Sequence, residues 1–282
     1  TGFDLVNPDP VSQTSCVMAD NICQLQKSYR FDENSGIGFL ARAVNSGLAS
    51  HIPPLWDQYA DIERLELTQQ AELKTMVLAG YGPYLELVAQ ARPDDESFEQ
   101  RVRQILATFN GFQLLVALRE GPYGVSGLNQ QVEQWLHQAR KITLNTEANL
   151  WYVGRPVMIS QNDHQAGLFN GDIGICLANE AGDNRIYFEL ADGKIHHFLP
   201  SRLPAHQTVF AMTVHKSQGS EFDHTVMMLP EVMNPVLTRE LVYTGITRAK
   251  KKLSLFAPVH ILNQAVREKT VRASGLIERL TA

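Results

Sequence analysis

The stretch of the chain richest in chemistry is Thr213-Val214-His215-Lys216-Ser217-Gln218-Gly219-Ser220-Glu221-Phe222-Asp223. An apolar run leads into it and another follows from Thr225, so the polar residues read as a loop between two strands. At the carboxyl end of a parallel strand, such a loop lies where α/β folds bind their ligands. Gly219 lets backbone N–H groups approach an anion closely, and Thr213, His215 and Gln218 add side-chain donors. A second set is Leu241-Val242-Tyr243-Thr244-Gly245-Ile246-Thr247-Arg248-Ala249-Lys250. Coiled into a helix, Val242, Ile246 and Ala249 share an inward face, and Thr244 and Arg248 stack on the opposite one. On its own, Arg248 needs no more than a carboxylate to cap. A third set, Gln24-Leu25-Gln26-Lys27-Ser28-Tyr29-Arg30-Phe31, reads as a helix or strand end that carries a cation at Arg30.

Positioning these residues requires buried strands. Continuous apolar runs at 112–118, 208–214, 225–229 and 253–257 read as strands covered on both faces. Helical patterns alternate with them at 36–46, 69–90, 97–109, 128–140, 238–249 and 260–269. The expected fold is therefore α/β, with a parallel sheet covered by helices. Between Leu150 and Arg202 the texture changes to short strands at 151–160, 173–177, 185–190 and 195–199. Asn170-Gly171 and Asp192-Gly193 supply strong tight-turn signals there. This segment reads as a small β-barrel inserted into the larger α/β domain.

Composition excludes several classes. The 282 residues are 44% apolar and 20% charged, as in ordinary water-soluble domains. No apolar run approaches the ~20 residues that span a bilayer, and the first residues lack the pattern of a secretory signal. The chain does not begin with Met, so its native start is expected upstream. Cys16, Cys23 and Cys176 are irregularly spaced, which fits a reducing compartment rather than a disulfide framework or a zinc site. The net charge of −5 argues against a module that holds nucleic acid by overall charge. Local features must do so instead, such as Arg248, Lys250, Lys251 and Lys252. His196-His197 lacks a second ligand pair at metal spacing, so no metal site is expected. Trp56, Trp135 and Trp151 read as packing residues.

The three sets together resemble a known family. The string from Thr213 is similar to motif V of superfamily 1 helicases, close to T-x-H-x-x-Q-G-x-E. Leu241–Lys250 resembles motif VI (V-Y-x-x-x-T-R-A-K), and Gln24–Phe31 resembles motif IV. Two further stretches narrow the resemblance to the RecD family, whose members are subunits of the RecBCD (exonuclease V) complex. Arg119-Glu120-Gly121-Pro122-Tyr123-Gly124-Val125-Ser126-Gly127-Leu128-Asn129 looks like that family's glycine-rich segment, leading to a helix that opens with Asn129. Gly154–Ile159, Asn162 and Asn170–Gly174 resemble its inserted SH3-like barrel.

The resemblance implies a second RecA-like motor domain, residues 1–149 and 206–282, interrupted by an SH3-like barrel at 150–205. It implies that Thr213 and His215 face single-stranded DNA, joined by Asn129 and Asn170, although barrel asparagines serve equally well as turn formers. Gln218 and Gly219 would lie near nucleotide phosphates, and Glu221 would accept from the ribose. Arg248 and Arg30 would reach the γ-phosphate, where a fixed planar cation neutralises developing charge. The cofactors implied are ATP and Mg2+, and the partners are DNA, RecB and RecC. A Walker A loop is missing: Asp192-Gly193-Lys194 comes nearest but continues to Ile195. No apolar strand ends in Asp-Glu. The expectation is therefore a carboxyl-terminal portion of a cytoplasmic 5′-to-3′ helicase, inactive alone, with the Mg2+ ligands on the amino-terminal half. The rival readings are the helicase domain of a conjugative relaxase, a free-standing helicase, and a non-catalytic binding fragment.

Overall fold

The computed structural model describes residues 34–144 and 151–270. In chain order the elements are α1 (Gly36–Asn45), α2 (Leu55–Gln58), β1 (Ile62–Leu65), α3 (Gln70–Gln90), α4 (Phe98–Phe109), β2 (Phe112–Val116) and α5 (Val125–Gln138). Then come β3 (Pro156–Ile159), β4 (Ile173–Ala178), β5 (Asn184–Glu189), β6 (Ile195–Phe198) and β7 (His206–Thr208). The chain closes with β8 (Ala211–Thr213), β9 (Phe222–Met228), α6 (Arg239–Ile246), β10 (Ala249–Phe256) and α7 (Val259–Arg267).

β1, β10, β9, β2 and β8 lie side by side in that order, and every pairing is parallel. Helices cover both faces, which is why the central strands read as unbroken apolar runs. The register separates the faces. Met227 pairs with Leu115, and His224 pairs with Phe112, three residues away, so the two pairs point to opposite sides. On one side, Gly80 of α3 sits against the Phe112 ring. On the other, Gly245 of α6 sits against Met227, where a Cβ would come within 2.5 Å of the Met227 sulfur. Only glycine permits so close an approach of helix to sheet.

The second sheet is antiparallel, ordered β6-β5-β4-β3-β7. Its strands alternate strictly. Val157, Ile159, Cys176, Ile186 and Phe188 join Leu168 in a core of their own. The intervening Met158, Ile175, Leu177 and Tyr187 belong to the main core instead. One face of the inserted sheet is thus its own interior, and the other is docked on the host. Tyr187 meets Phe98 of α4 edge to face at 5.4 Å, and Tyr84 of α3 donates its hydroxyl to Gly154 O at 3.0 Å.

Four differences from the expected elements matter. The run 208–214 is not one strand. Thr208 ends β7 in the antiparallel sheet and Ala211 begins β8 in the parallel one, with only Val209 and Phe210 between. Both linking residues are fully buried, so apolarity persists across the change of sheet. The Phe210 carbonyl accepts from the Tyr81 hydroxyl and from Gln113 Nε2. Next, β1 was not expected, because Glu63 and Arg64 interrupt its apolar pattern. α5 begins at Val125 rather than Leu128, capped by Gly124. Finally, α6 ends at Ile246 rather than Ala249, because Ala249 already pairs with Phe222 in β10.

Candidate functional site

The loop that leaves β8 carries the chain from the carboxyl edge of the sheet back to the amino end of β9. Its two ends are built differently. At the β8 end, Thr213 is 9% exposed, and its carbonyl accepts from Lys216 N at 2.9 Å and Ser217 N at 3.3 Å. Buried Ser217 donates its hydroxyl to Val214 O at 2.8 Å. This turn presents His215 outward beside a pocket of about 380 Å³. Thr213, His215 and Lys216 line it together with Ala117, Leu118 and Arg119, which follow β2. Asn170 enters from the inserted sheet, and its Oδ1 accepts from Lys216 Nζ at 2.5 Å. Two cations and several neutral donors therefore share one crevice at the carboxyl edge of parallel strands, the usual place for a ligand.

At the β9 end, Gln218, Gly219, Ser220 and Glu221 are exposed. Gly219 has φ +94°, a conformation that side chains rarely adopt, and a Cβ there would meet nothing within 4 Å. Arg248 holds this end from behind. The structure corrects its expected place on a polar helix face opposite Val242 and Ile246. With α6 ended at Ile246 and capped by Thr247, Arg248 turns inward and is 3% exposed. Its Nε donates to Thr244 O at 3.1 Å, and its Nη1 reaches Ser220 O at 3.0 Å and Ser217 O at 3.5 Å.

Asn129 is a second correction. It is 7% exposed and does not open α5. Its amide accepts from Ala211 N and donates to Ala211 O, each at 3.0 Å, and also donates to Val125 O. β8 is an edge strand, and this side chain satisfies the peptide groups that no neighbouring strand reaches. That leaves Asn129 no surface for DNA. Arg30, Cys16 and Cys23 lie outside the described residues.

The basic run does not act as a patch. Lys251 pairs with Asp223 at 2.8 Å and Lys252 with Glu63 at 3.0 Å, at the amino end of the parallel strands. Beside them His224 Nε2 lies 2.9 Å from Ser254 Oγ, whose proton goes to Glu63 at 2.7 Å. Burial, helped by the Lys252 charge, pushes the His224 pKa down to about 4. Burial likewise pushes the Cys176 thiol up to about 12, as befits a packing residue. Trp56 and Trp135 pack against the main core and Trp151 against the inserted one. His196 contacts Asp192 at 3.0 Å, and no metal-holding cluster is found among the described residues. No described helix is long and apolar enough to cross a membrane. Lys216 and Arg119 were not singled out from sequence as contact residues. The signal was there, since each follows directly on a buried strand of the same sheet edge.

Known proteins match this arrangement. A family model described as the UvrD-like helicase C-terminal domain matches residues 208–256, and one described as the ATP-dependent RecD-like DNA helicase SH3 domain matches 128–189. The RecBCD enzyme subunit RecD of Haemophilus influenzae is 38% identical over 277 residues, covering 94% of this chain and 42% of that protein. Its counterpart in Mycolicibacterium smegmatis is 33% identical over 285 residues, covering 97% of this chain and 48% of that protein. The chain thus spans less than half the length of these relatives. Among solved structures, a Pif1 helicase from Bacteroides in complex with ADP-AlF3 and ssDNA aligns with a TM-score of 0.37 at 18% identity, over 73% of this chain and 52% of that one. Over nearly its whole length this chain is similar to RecBCD enzyme subunit RecD proteins, matching the carboxyl-terminal portion of each.

Proposed function

We propose that the chain is the carboxyl-terminal half of an ATP-dependent DNA helicase, the RecD-like subunit of a cytoplasmic helicase–nuclease that serves double-strand break repair and recombination. The observation that carries this reading is the single loop Thr213–Glu221, open to a cation-rimmed pocket at one end and exposing a left-handed glycine at the other. At the first end, Thr213, His215, Lys216, Arg119 and Asn170 offer donors and charge to the phosphates of a DNA strand. At the second, Gln218 and Gly219 face the phosphates of ATP and Glu221 its ribose. The fit to a nucleotide rests on the open backbone at Gly219, which an anion can approach unhindered. Arg248 fits less simply, because it meets a phosphate only by releasing the carbonyls of Ser217 and Ser220. Arg30 is the other cation proposed for that end. Bound ATP would supply the phosphoryl group to be transferred, with Mg2+ held by the amino-terminal half. The residues of this chain bind, orient and neutralise charge.

In this reading residues 1–149 and 206–282 form one motor domain, interrupted by the barrel at 150–205. RecB, RecC and the amino-terminal half of the same protein are its partners, and movement is 5′ to 3′. The purified chain, lacking Walker A, is expected to show no DNA-stimulated ATPase. Joined to its amino-terminal half, it is expected to unwind duplexes bearing a 5′ single-stranded tail. Turnover by the chain alone, or unwinding from 3′ tails only, would overturn the proposal.

A further inference from the structure

Beside the pocket, the inserted sheet displays an aromatic residue that packing does not explain. Phe169 is 43% exposed, directly after Leu168, which is fully buried in the sheet's own core. The segment that carries it is tied by several backbone bonds. Asp163 and Leu168 exchange both backbone bonds, at 2.7 and 3.0 Å. Asp163 Oδ1 also accepts from Gln165 N and Ala166 N. Phe169 N donates to Asp172 Oδ2 at 2.7 Å, and Asn170 N donates to Asn162 Oδ1 at 2.8 Å. Exposed His164 meets the Phe169 ring edge to face, with centroids 5.6 Å apart. The next residue, Asn170, receives Lys216 and lines the pocket. A half-exposed ring on a backbone tied in this way, one residue from a cation-rimmed crevice, forms a hydrophobic face bordered by charge that suits phosphate.

We infer that Phe169, braced by His164, is a stacking platform that seats an unpaired base of the strand whose phosphates enter the pocket beside it. The inference rests on the proposed DNA-facing role of that pocket and names its base contact. The chemistry suits single-stranded nucleic acid, in which each base offers a π-face and each link a phosphate. Every base can use such a platform, so it grips without reading sequence.

The experiment is oligonucleotide binding by the full chain, measured by fluorescence anisotropy with a thymidine oligomer. F169A is expected to weaken binding by about 5- to 100-fold, the range that base–aromatic stacking commands. F169W is expected to restore it, with the new indole emission quenched when the oligomer binds. An oligomer with abasic sites, which keeps phosphates and removes bases, should bind wild type as weakly as F169A and should not distinguish the two. Because the ring is exposed, F169A should melt with wild type, and an early melt would assign Phe169 to packing and overturn the platform. Normal F169A affinity beside weakened K216A would also remove the platform while leaving the pocket standing. If wild type itself binds no oligomer, the pocket's role fails and the platform with it. Loss of a protein contact alone on F169A, with DNA affinity intact, would make the patch a docking surface instead.

Discussion

At the β8 end of the crossover loop, His215 and Lys216 rest on a short turn and on Asn170, while at the β9 end a buried arginine grips the carbonyls of Ser217 and Ser220 from behind. The same length of chain is open at one end and anchored at the other. Exposure, rather than residue type, separates groups that can meet a ligand from groups that hold the loop in shape. Lys216 and Arg248 are both cations, yet only Lys216 stands where a phosphate can reach it unaided.

The contrast can be broken most forcefully at Arg248. R248A removes the charged donor that ties Thr244 O, Ser217 O and Ser220 O together and empties the space of a side chain that is 3% exposed, and losing such buried charged hydrogen bonds costs on the order of 3 kcal/mol. R248K should recover little of it, because one ammonium cannot span Thr244, Ser217 and Ser220 together. Thermal melts of the three proteins test this, and a normal melting temperature for R248A would show that the anchored end does not need its anchor.

The anchored end should also answer to acid. His224 is an ordinary imidazole when unfolded, near pH 6.5, and takes its proton only near pH 4 when folded. Its contribution is therefore full above about pH 6.5 and drains as pH falls toward 4, by on the order of 2 kcal/mol once partial exposure is discounted. Denaturant titrations between pH 7 and 4.5 should show that slope in wild type and a flatter one in H224Q. Parallel slopes would place the acid sensitivity elsewhere.

The smallest effect on stability belongs to the open end. K216A should change the unfolding free energy by no more than about 0.5 kcal/mol, as exposed polar contacts usually do. Its oligonucleotide affinity should nevertheless fall, with a shallower dependence on salt. A strongly destabilised K216A would erase the distinction between the two ends.

Legibility in the sequence followed the same line. The polar loop between apolar runs, the turns at Asn170-Gly171 and Asp192-Gly193, and the change of texture after Leu150 were all local signals, and the structure keeps them. Asn129 and Asn170 look alike in sequence, yet one repairs an edge strand from within and the other rims a pocket. That difference depends on which strand lies at the sheet edge, and no window around either residue contains it. Arg248 misled for a related reason. The helical period, continued past Ile246, puts it on the polar face of α6, but pairing of Ala249 with β9 draws the backbone straight before that period is complete. Apolar runs likewise report burial without saying in which sheet, so β7 and β8 read as one strand.

The link between those two strands has a mechanical consequence. Val209 and Phe210 leave no slack between the sheets, and the Phe210 carbonyl is fastened by Tyr81 and Gln113 from separate elements. From the barrel surface near Phe169, the shortest route to Thr213 runs along β3 and β7 into β8. Along this path the inserted sheet and β8 are joined by two buried residues and no loop of their own.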